Sequence, residues 1–357
     1  MVRKVTGLLA AGLAVWLTGH LPPCQAQELP PAPSPATQPA PKDTSPETTP
    51  PPHLYRPPTP VLTGPPRLMP YSSIPPPPVV PDPNFSIAPP AFEPPGLFAS
   101  VELGLVGPHV KNRLSASVPF DGFLPDTVQV PNAPLDWTVS PRFELGYRLP
   151  QDFGEFLASF RFLVTQGSAI IPGFNVVGDG LLHSRLNLNV LDLDYASREF
   201  ALGPNWDMKW KVGARLANVF FDSRVDGLFV DQRTSNFFLG AGPHAGLDLG
   251  RRLGDSGLSL FTRSEGAVLI GRITQSFEET FFFNDGTPLG GATIQRQVQA
   301  VPLLSFQVGL GWTPPWSQDL RLALGYQFER WWYLGRVGDS RAELTVQGIF
   351  FRGEFRY

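Results

Sequence analysis

The sequence predicts an all-β fold: an antiparallel up-and-down transmembrane β-barrel of about ten strands, with twelve as the alternative, preceded by a disordered proline-rich segment. The first observation is strict alternation in the closing stretch, 342–357. Phe351, Gly353, Phe355 and Tyr357 share one face of it, and Arg352, Glu354 and Arg356 share the other. A strand with lipid on one side and an interior on the other has this period of two. The second observation is that short connections between such stretches alternate with long ones.

Composition agrees with this class and excludes others. The 357 residues are 42% hydrophobic and only 17% charged, with a formal charge of −3. Without a basic patch, the sequence gives no reason to expect a nucleic-acid partner. Because it has no long uninterrupted apolar run, it also predicts no transmembrane helix.

The first 26 residues have the features of a secretory signal. Arg3 and Lys4 precede an apolar stretch at 5–17, and Cys24-Gln25-Ala26 offers a small-x-small cleavage site. Cleavage near Ala26 would remove the single cysteine, and with it any disulfide or thiol chemistry. The alternative is a lipoprotein signal with Cys24 as the lipidated residue, although Pro22 and Pro23 make a poor recognition sequence.

Residues 27–96 are predicted to be a disordered periplasmic linker. More than half of the 42 prolines lie there, and apolar periodicity is absent. Proline removes backbone donors and favours the extended polyproline II conformation, at about 3.1 Å per residue. Such an arm is long enough to reach the cell wall. The sequence favours a plain disordered spacer, with peptidoglycan as the partner in the alternative reading.

From residue 97 onward the chain alternates, and 97–357 is predicted to be the barrel. The predicted strands lie near 97–106, 137–149, 155–166, 184–196, 206–221, 237–250, 257–272, 298–312, 319–333 and 342–357. In the fourth strand the apolar residues change face around Val190 and Leu191, which indicates a β-bulge.

The connections predict the orientation of the barrel. The short ones are 150–154, 197–205, 251–256 and 313–318; the longer ones are 107–136, 167–183, 222–236, 273–297 and 334–341. Barrels have short periplasmic turns and longer outer loops, and an even strand count places both termini in the periplasm. The connections 107–136 and 273–297 could each hide an extra strand pair.

Charged residues of both signs occupy the face opposite the apolar one, which predicts a charged lumen. The candidate lumen-lining residues are Arg142, Glu144, Arg161, Asp192, Asp194, Lys209, Lys211, Arg215, Asp248, Arg263, Glu265, Arg321, Glu329, Arg352 and Glu354. In a narrow barrel such charges must pair. They form either a packed salt-bridge network or a charged constriction that selects solutes.

Signals of catalysis are weak. The best hydrolase candidate is the adjacent pair His183–Ser184, a combination that is common by chance. Asp192 and Asp194 are better explained as two inward positions on one strand than as metal ligands. The sequence therefore predicts neither an enzyme nor a cofactor.

The stretch 189–224 resembles the Legionella-type major outer-membrane proteins. In that family a strand with an L-D-L-D core leads through a short turn to a strand with a G-x-R-x-A pattern, which is found here at 213–217. The segments 137–149, 240–243 and 321–331 are also similar. The resemblance implies a pore or adhesin-like surface protein and carries no catalytic residues; the proline-rich segment departs from the pattern.

Together these observations predict a bacterial outer-membrane barrel with porin-like passage of small solutes. The alternative is a closed barrel that acts as a structural or adhesive envelope anchor, with the proline-rich arm tethered to the cell wall. The expected partners are outer-membrane lipid and the barrel-assembly machinery, which would bind the C-terminal aromatic strand ending at Tyr357.

Overall fold

A computed structural model describes residues 95–120, 126–175, 178–254, 256–283, 286–317, 319–338 and 340–356. The predicted signal peptide, the linker as far as residue 94, Cys24, and Tyr357 lie outside these residues. No helix in the described ranges is long and apolar enough to cross a membrane.

The described chain forms thirteen strands. They are β1 (Gly96–Arg113), β2 (Ala116–Val118), β3 (Asp126–Val128), β4 (Thr138–Arg148), β5 (Glu155–Asn175), β6 (Gly178–Ala196), β7 (Phe200–Gly203), β8 (Trp206–Asp226), β9 (Val230–Arg252), β10 (Leu258–Phe282), β11 (Pro288–Trp312), β12 (Leu320–Trp331) and β13 (Arg341–Arg356). The only helical segment among the described residues is a short 3-10 turn, Pro150–Asp152.

Ten strands form a closed antiparallel barrel, in the ring order β6-β5-β4-β1-β13-β12-β11-β10-β9-β8 with β6 pairing β8. The predicted fold class is confirmed. Phe98 pairs with Arg356, so both ends of the barrel chain lie at one rim, here called the terminal end; the opposite rim is the far end. Each barrel strand is antiparallel to both neighbours, so closure leaves no sheet edge at the level where all ten strands are present.

Three of the predicted far-end loops were wrong. Most of 167–183, 222–236 and 273–297 is strand, because β5–β6, β8–β9 and β10–β11 continue as long hairpins. The connection after β1 does hide an extra pair, β2 with β3. The four predicted short connections do link barrel strands at the terminal end.

The predicted β-bulge at Val190–Leu191 was also wrong. The β5–β6 register is unbroken from Glu155 to Ile171, and β6 pairs continuously with β8 from Leu181 to Ala196. Toward the far end Leu188 and Val190 are buried inside the barrel while the intervening Asn189 points outward; toward the terminal end Asp192 is inside and Leu193 is half exposed outside. The apolar residues change face without any break in the strand.

Strands β1 and β10 also change polarity on their outward faces. On β1 the outward residues are apolar up to Leu105 and then become His109, Lys111 and Arg113. On β10 they are apolar at Val268 and Ile270 and polar beyond. The outward apolar side chains between the terminal end and this level form a ring, here called the apolar belt, as expected of a surface that meets lipid.

Inside the barrel the polarity is the opposite: charged residues lie nearer the terminal end and apolar residues beyond them. The interior contains three layers. A charged layer lies at the level of the apolar belt. Beyond it lies a middle apolar cluster: Val106, Val110, Leu163, Leu186, Leu188, Val190, Ala217, Val219, Phe221, Phe238, Ala267, Leu269, Ile273, Val301, Leu303, Trp331, Leu334, Val337, Leu344 and Val346. At the far end lies a far apolar cluster: Leu114, Ala116, Val118, Phe120, Val128, Val130, Ala133, Leu182, Val225, Phe277 and Ala342.

Candidate functional site: the barrel lumen

The guanidinium of Arg215 lies at the centre of the charged layer. Strands β6 and β8 place Asp192 directly opposite it. Arg215 Nε donates to Asp192 Oδ1 at 2.6 Å and a terminal nitrogen donates to Asp192 Oδ2 at 2.8 Å. The same nitrogen reaches Glu265 Oε2 at 3.1 Å. Both side chains of the Arg215–Asp192 pair are almost fully buried, so the charges are held by each other rather than by water.

His244 completes this centre from β9. Its Nδ1 lies 2.8 Å from Asp194 Oδ1, and its Nε2 lies 3.2 Å from the Arg215 terminal nitrogen. Nε2 also lies 3.4 Å from Glu265 Oε2, so the imidazole sits between the carboxylates of Asp194 and Glu265. Gly213 stands opposite His244 on β8, and a β-carbon there would collide with Asp194.

Two further cations close the centre. Lys211 Nζ donates to Glu265 Oε1 at 2.6 Å, and Arg142 lies 3.5 Å from Asp192 and 3.7 Å from Glu265. A β-carbon at Gly246 would come within 2.7 Å of the Lys211 chain, so this glycine gives the lysine room to cross to β10. Three cations and three carboxylates thus neutralise one another around one histidine.

Smaller networks surround the centre. Arg352 binds Glu102 at 2.6 Å, and Gln307 adds a third donor to that carboxylate. Arg161 binds Glu329 at 2.6 Å, and the Trp331 indole donates to the same oxygen. Closer to the terminal end are the Arg263–Asp248, Lys209–Glu155, Arg148–Glu155 and Arg356–Glu354 pairs.

All fifteen residues named from the sequence lie on inward-facing positions of their strands. Thirteen of them make the contacts described above, and Arg321 stands opposite Glu354 across β12 and β13. Glu144 is half buried and interacts electrostatically with Arg263, Arg352 and Arg142. Whether they line a path for solutes stays a prediction.

Sequence reasoning missed Glu102 and Glu155. Glu102 lies between outward Val101 and Leu103 on β1, so the same alternation would have placed it inside. Glu155 begins its strand, where too few alternating residues precede it to define a face. No comparable signal identified Gln307, which acts through a single neutral amide.

One group of residues has the geometry of a metal site. Ligand atoms of Asp192, His244 and Glu265 lie within 4.8 Å of one another. Arg215, however, hydrogen-bonds to all three side chains, so its guanidinium takes the position that a cation would need. The donor set therefore does not fit a metal ion while this arginine is in place.

The middle apolar cluster seals the lumen beyond the charged layer. Nine of the ten barrel strands contribute to it, and Leu334 and Val337 enter from the β12–β13 connection. Leu186, Leu269 and Trp331 have no exposed surface. Burying each side chain of this size contributes about 1.5–3 kcal/mol, so the seal is a stable packed layer.

The hydrolase candidates do not form a site. His183 points outward, whereas Ser184 is buried inside, where its hydroxyl lies 2.8 Å from that of Ser223 and accepts from the Ala133 amide. Adjacent residues on a strand face opposite ways, so the two side chains cannot cooperate.

A closed antiparallel barrel with an outward apolar belt and a charged interior defines an outer-membrane β-barrel protein. The family model described as Legionella pneumophila major outer membrane protein precursor matches residues 126–356, so the chain belongs to this family and its location is the bacterial outer membrane. The resemblance inferred from 189–224 is confirmed. No curated protein sequence matches the chain.

Solved structures with a similar fold are outer-membrane barrels of diverse roles. The Escherichia coli outer membrane protease OmpT is 11% identical, with a TM-score of 0.44, over 73% of this chain and 97% of that one. The Pseudomonas putida toluene transporter TodX is 10% identical, with a TM-score of 0.33, over 74% and 91%. The Yersinia pestis attachment invasion locus protein Ail is 13% identical, with a TM-score of 0.21, over 72% and 98%.

Proposed function

We propose that this protein is an outer-membrane anchor whose barrel is closed to solutes and whose far-end hairpins form its working surface. The middle apolar cluster carries the proposal. A hydrated ion or sugar would have to cross a layer in which Leu186, Leu269 and Trp331 are completely buried. Moving a polar group into such a layer without hydrogen-bond partners costs several kcal/mol.

The charged layer supports the same proposal. Arg215, Asp192 and Glu265 are each at most 3% exposed, and Arg215 bonds to both carboxylates, so they offer few free groups to a solute. Freeing one of them would leave its partner as an uncompensated buried charge. The residues predicted to select solutes act, in this proposal, as the bonds that hold the ten strands together.

Porin-like passage of small solutes is the second candidate, and one observation favours it. Part of the seal, Leu334 and Val337, comes from the connection between β12 and β13 rather than from the wall. Such a connection can move without breaking the barrel, and its displacement would thin the apolar layer.

Conductance in planar bilayers distinguishes the two candidates. We expect the full-length protein to give no discrete steps, and a Trp331→Ala, Leu334→Asp, Val337→Asp variant to give them, because it replaces a dry layer with a polar one. The matched control is Leu324→Ala, which shortens an outward side chain of the same strand. Discrete steps from the unmodified protein would reject the closed anchor and support passage.

We further propose that the terminal end faces the periplasm, where the arm 27–96 would tether the barrel to peptidoglycan. Both ends of the barrel chain lie at that rim, and the arm is predicted to be extended. Full-length protein should co-sediment with isolated cell-wall sacculi, and a variant lacking 27–94 should not. Equal co-sedimentation of both would contradict the tether. The barrel-assembly machinery stays the proposed partner of the closing strand.

A further inference from the structure

The far-end half of β11 has a neighbour on one side only. It pairs with β10 along its whole length, but with β12 only from Leu303 to Trp312. The reason is Pro302. Its carbonyl accepts from the Trp332 amide at 3.0 Å, but proline has no N–H to return the bond, and β12 ends there.

Hydrogen-bond geometry identifies which backbone groups are left open. Thr313 and Thr287, at the two ends of β11, bond to the Gly257 carbonyl and the Phe283 amide of the β10 side, whereas Pro302 bonds to the β12 side. In an antiparallel sheet successive residues direct their N–H and C=O to alternate sides. The odd residues of β11 therefore face β10, and Ala292, Ile294, Arg296, Val298 and Ala300 face away from it. These five residues define the open edge.

Elsewhere the molecule covers part of a comparable edge. Beyond the end of its pairing with β4, β5 has its carbonyls capped by neighbouring groups: Thr138 and Ser140 hydroxyls donate to Val164 and Phe162, and the Asp136 amide donates to Gln166. Among the described residues, the hydrogen bond found to a backbone group of the open edge comes from one side-chain amide, Gln299 Nε2, 3.2 Å from the Ala300 carbonyl. Val118 and Pro119 lie close to Gly291, beside the far end of this edge.

The side chains of the open edge are suited to a second strand. Ile294 and Val298 are about 60% exposed (59% and 67%), although both are strong strand formers. Between them Arg296 is exposed, and no ion pair to it is found among the described residues. On the opposite face Gln295, Gln297 and Gln299 present neutral amides. All of these positions lie beyond the apolar belt.

We infer that the open edge is a docking site for an extended segment of another polypeptide, which adds to β11 as a strand. The backbone of this segment would pair with the five open residues. An acidic side chain of the segment would face Arg296, and the small apolar side chains on either side of it would lie beside Ile294 and Val298. Main-chain bonds supply the affinity in this mode of recognition, and alternate side chains supply the specificity. The inference needs the barrel but not the closed lumen, so it stands whether or not the protein conducts.

A second copy in the same membrane does not fit this edge. Two barrels in one membrane are related by a twofold axis along the membrane normal. Strands tilted by about 35–45° from that normal cannot become antiparallel under such a rotation. The chain's own segment 27–94 is a poor candidate for a strand here, because its many prolines lack the N–H donors that a strand needs.

Hydrogen exchange tests the premise on the full-length protein in lipid nanodiscs. The amides of Ile294, Arg296 and Val298 should exchange quickly and those of Gln295, Gln297 and Gln299 slowly, because only the latter bond to β10. Uniform protection of all six would show that the edge is already covered and would overturn the inference.

Binding of a designed peptide tests the docking itself. The probe is an end-blocked Thr-Val-Thr-Glu-Thr-Val-Thr peptide, titrated by fluorescence anisotropy, with a second peptide carrying Lys in place of Glu. We expect saturable binding of the Glu peptide and protection of the open-edge amides. Arg296→Glu should reverse the preference toward the Lys peptide, a result that nonspecific adsorption would not give.

Two variants of one residue separate backbone pairing from side-chain contact. Val298→Pro removes an open N–H without touching the β10 bonds, and should weaken binding about tenfold or more. Val298→Thr keeps the N–H and should bind within about twofold of the unmodified protein. The absence of saturable binding, or equal binding by both variants, would overturn the inference. If the proline variant assembles poorly, the charge reversal at Arg296 decides the question, and an unchanged preference for the Glu peptide would then overturn the inference.

Discussion

At the scale of single residues, Arg215 shows how the interior of this barrel is stabilised. It bonds to Asp192, Glu265 and His244, which lie on three other strands. Alternation along β8 was enough to predict that Arg215 points inward. It could not predict the partners, because these come together only when four strands are placed side by side.

Replacing Arg215 with Ala should lower the free energy of unfolding by about 3–5 kcal/mol, because Asp192 and Glu265 would remain as poorly compensated buried charges. Urea unfolding in lipid vesicles measures the change. Arg252→Ala is the matched control: this arginine pairs with Asp207 but is 64% exposed, so its loss should change stability little. Equal losses for the two variants would contradict a buried network at Arg215.

At the scale of elements, β6 explains the two errors made from the sequence. The change of apolar face at Val190–Leu191 requires a bulge only if lipid surrounds the whole strand. The strand in fact leaves the apolar belt there, and its inner face takes over the apolar role. The far ends of β8 and β10 have polar outward faces as well, so most of 222–236 and 273–297 is strand where the sequence predicts loops.

A single basic residue can test where the belt ends on β6. Leu193→Arg should destabilise the barrel by about 2–4 kcal/mol, because it places a charge on the lipid-facing surface, whereas Asn187→Arg on the same outward face should cost about 0–1 kcal/mol. The measurement is unfolding from lipid vesicles, with far-ultraviolet circular dichroism to verify the barrel. Similar costs at the two positions would contradict the proposed boundary.

At the scale of the whole molecule, the three interior layers should differ in their response to pH. Glu279 lies beyond the apolar belt at the far cluster, where its carboxylate accepts from Gln232 at 2.6 Å. Burial raises the pKa of Glu279, and nearby Asp126 raises it further, despite the opposing hydrogen bond from Gln232. A raised pKa means that the neutral form of Glu279 is favoured in the packed state. The contribution of Glu279 to the stability of the far apolar cluster is therefore present at low pH and lost as the pH rises through the raised value.

We therefore expect the backbone amides of β2 and β3, which help to build the far cluster, to lose protection from hydrogen exchange as the pH rises above the usual range of a glutamate. Glu279→Gln should remove this loss, since its amide is neutral at every pH. Comparing the two proteins at each pH cancels the intrinsic change in exchange rate. The amides of β8 inside the apolar belt serve as the control and should respond equally in both. An identical response of β2 and β3 in the two proteins would contradict the role of Glu279.

The sequence by itself determined the strand alternation, the number of barrel strands and the inward position of every charged residue named in advance, because a period of two is a local property of an extended chain. Tertiary structure alone decided that the lumen is packed, that Arg215 occupies the place of a metal ion, and that half of β11 has an open edge. The physical reason is that these features depend on the register between strands far apart in the sequence. That register fixes which residues meet across the barrel, and at Pro302 it decides where a neighbouring strand can no longer pair.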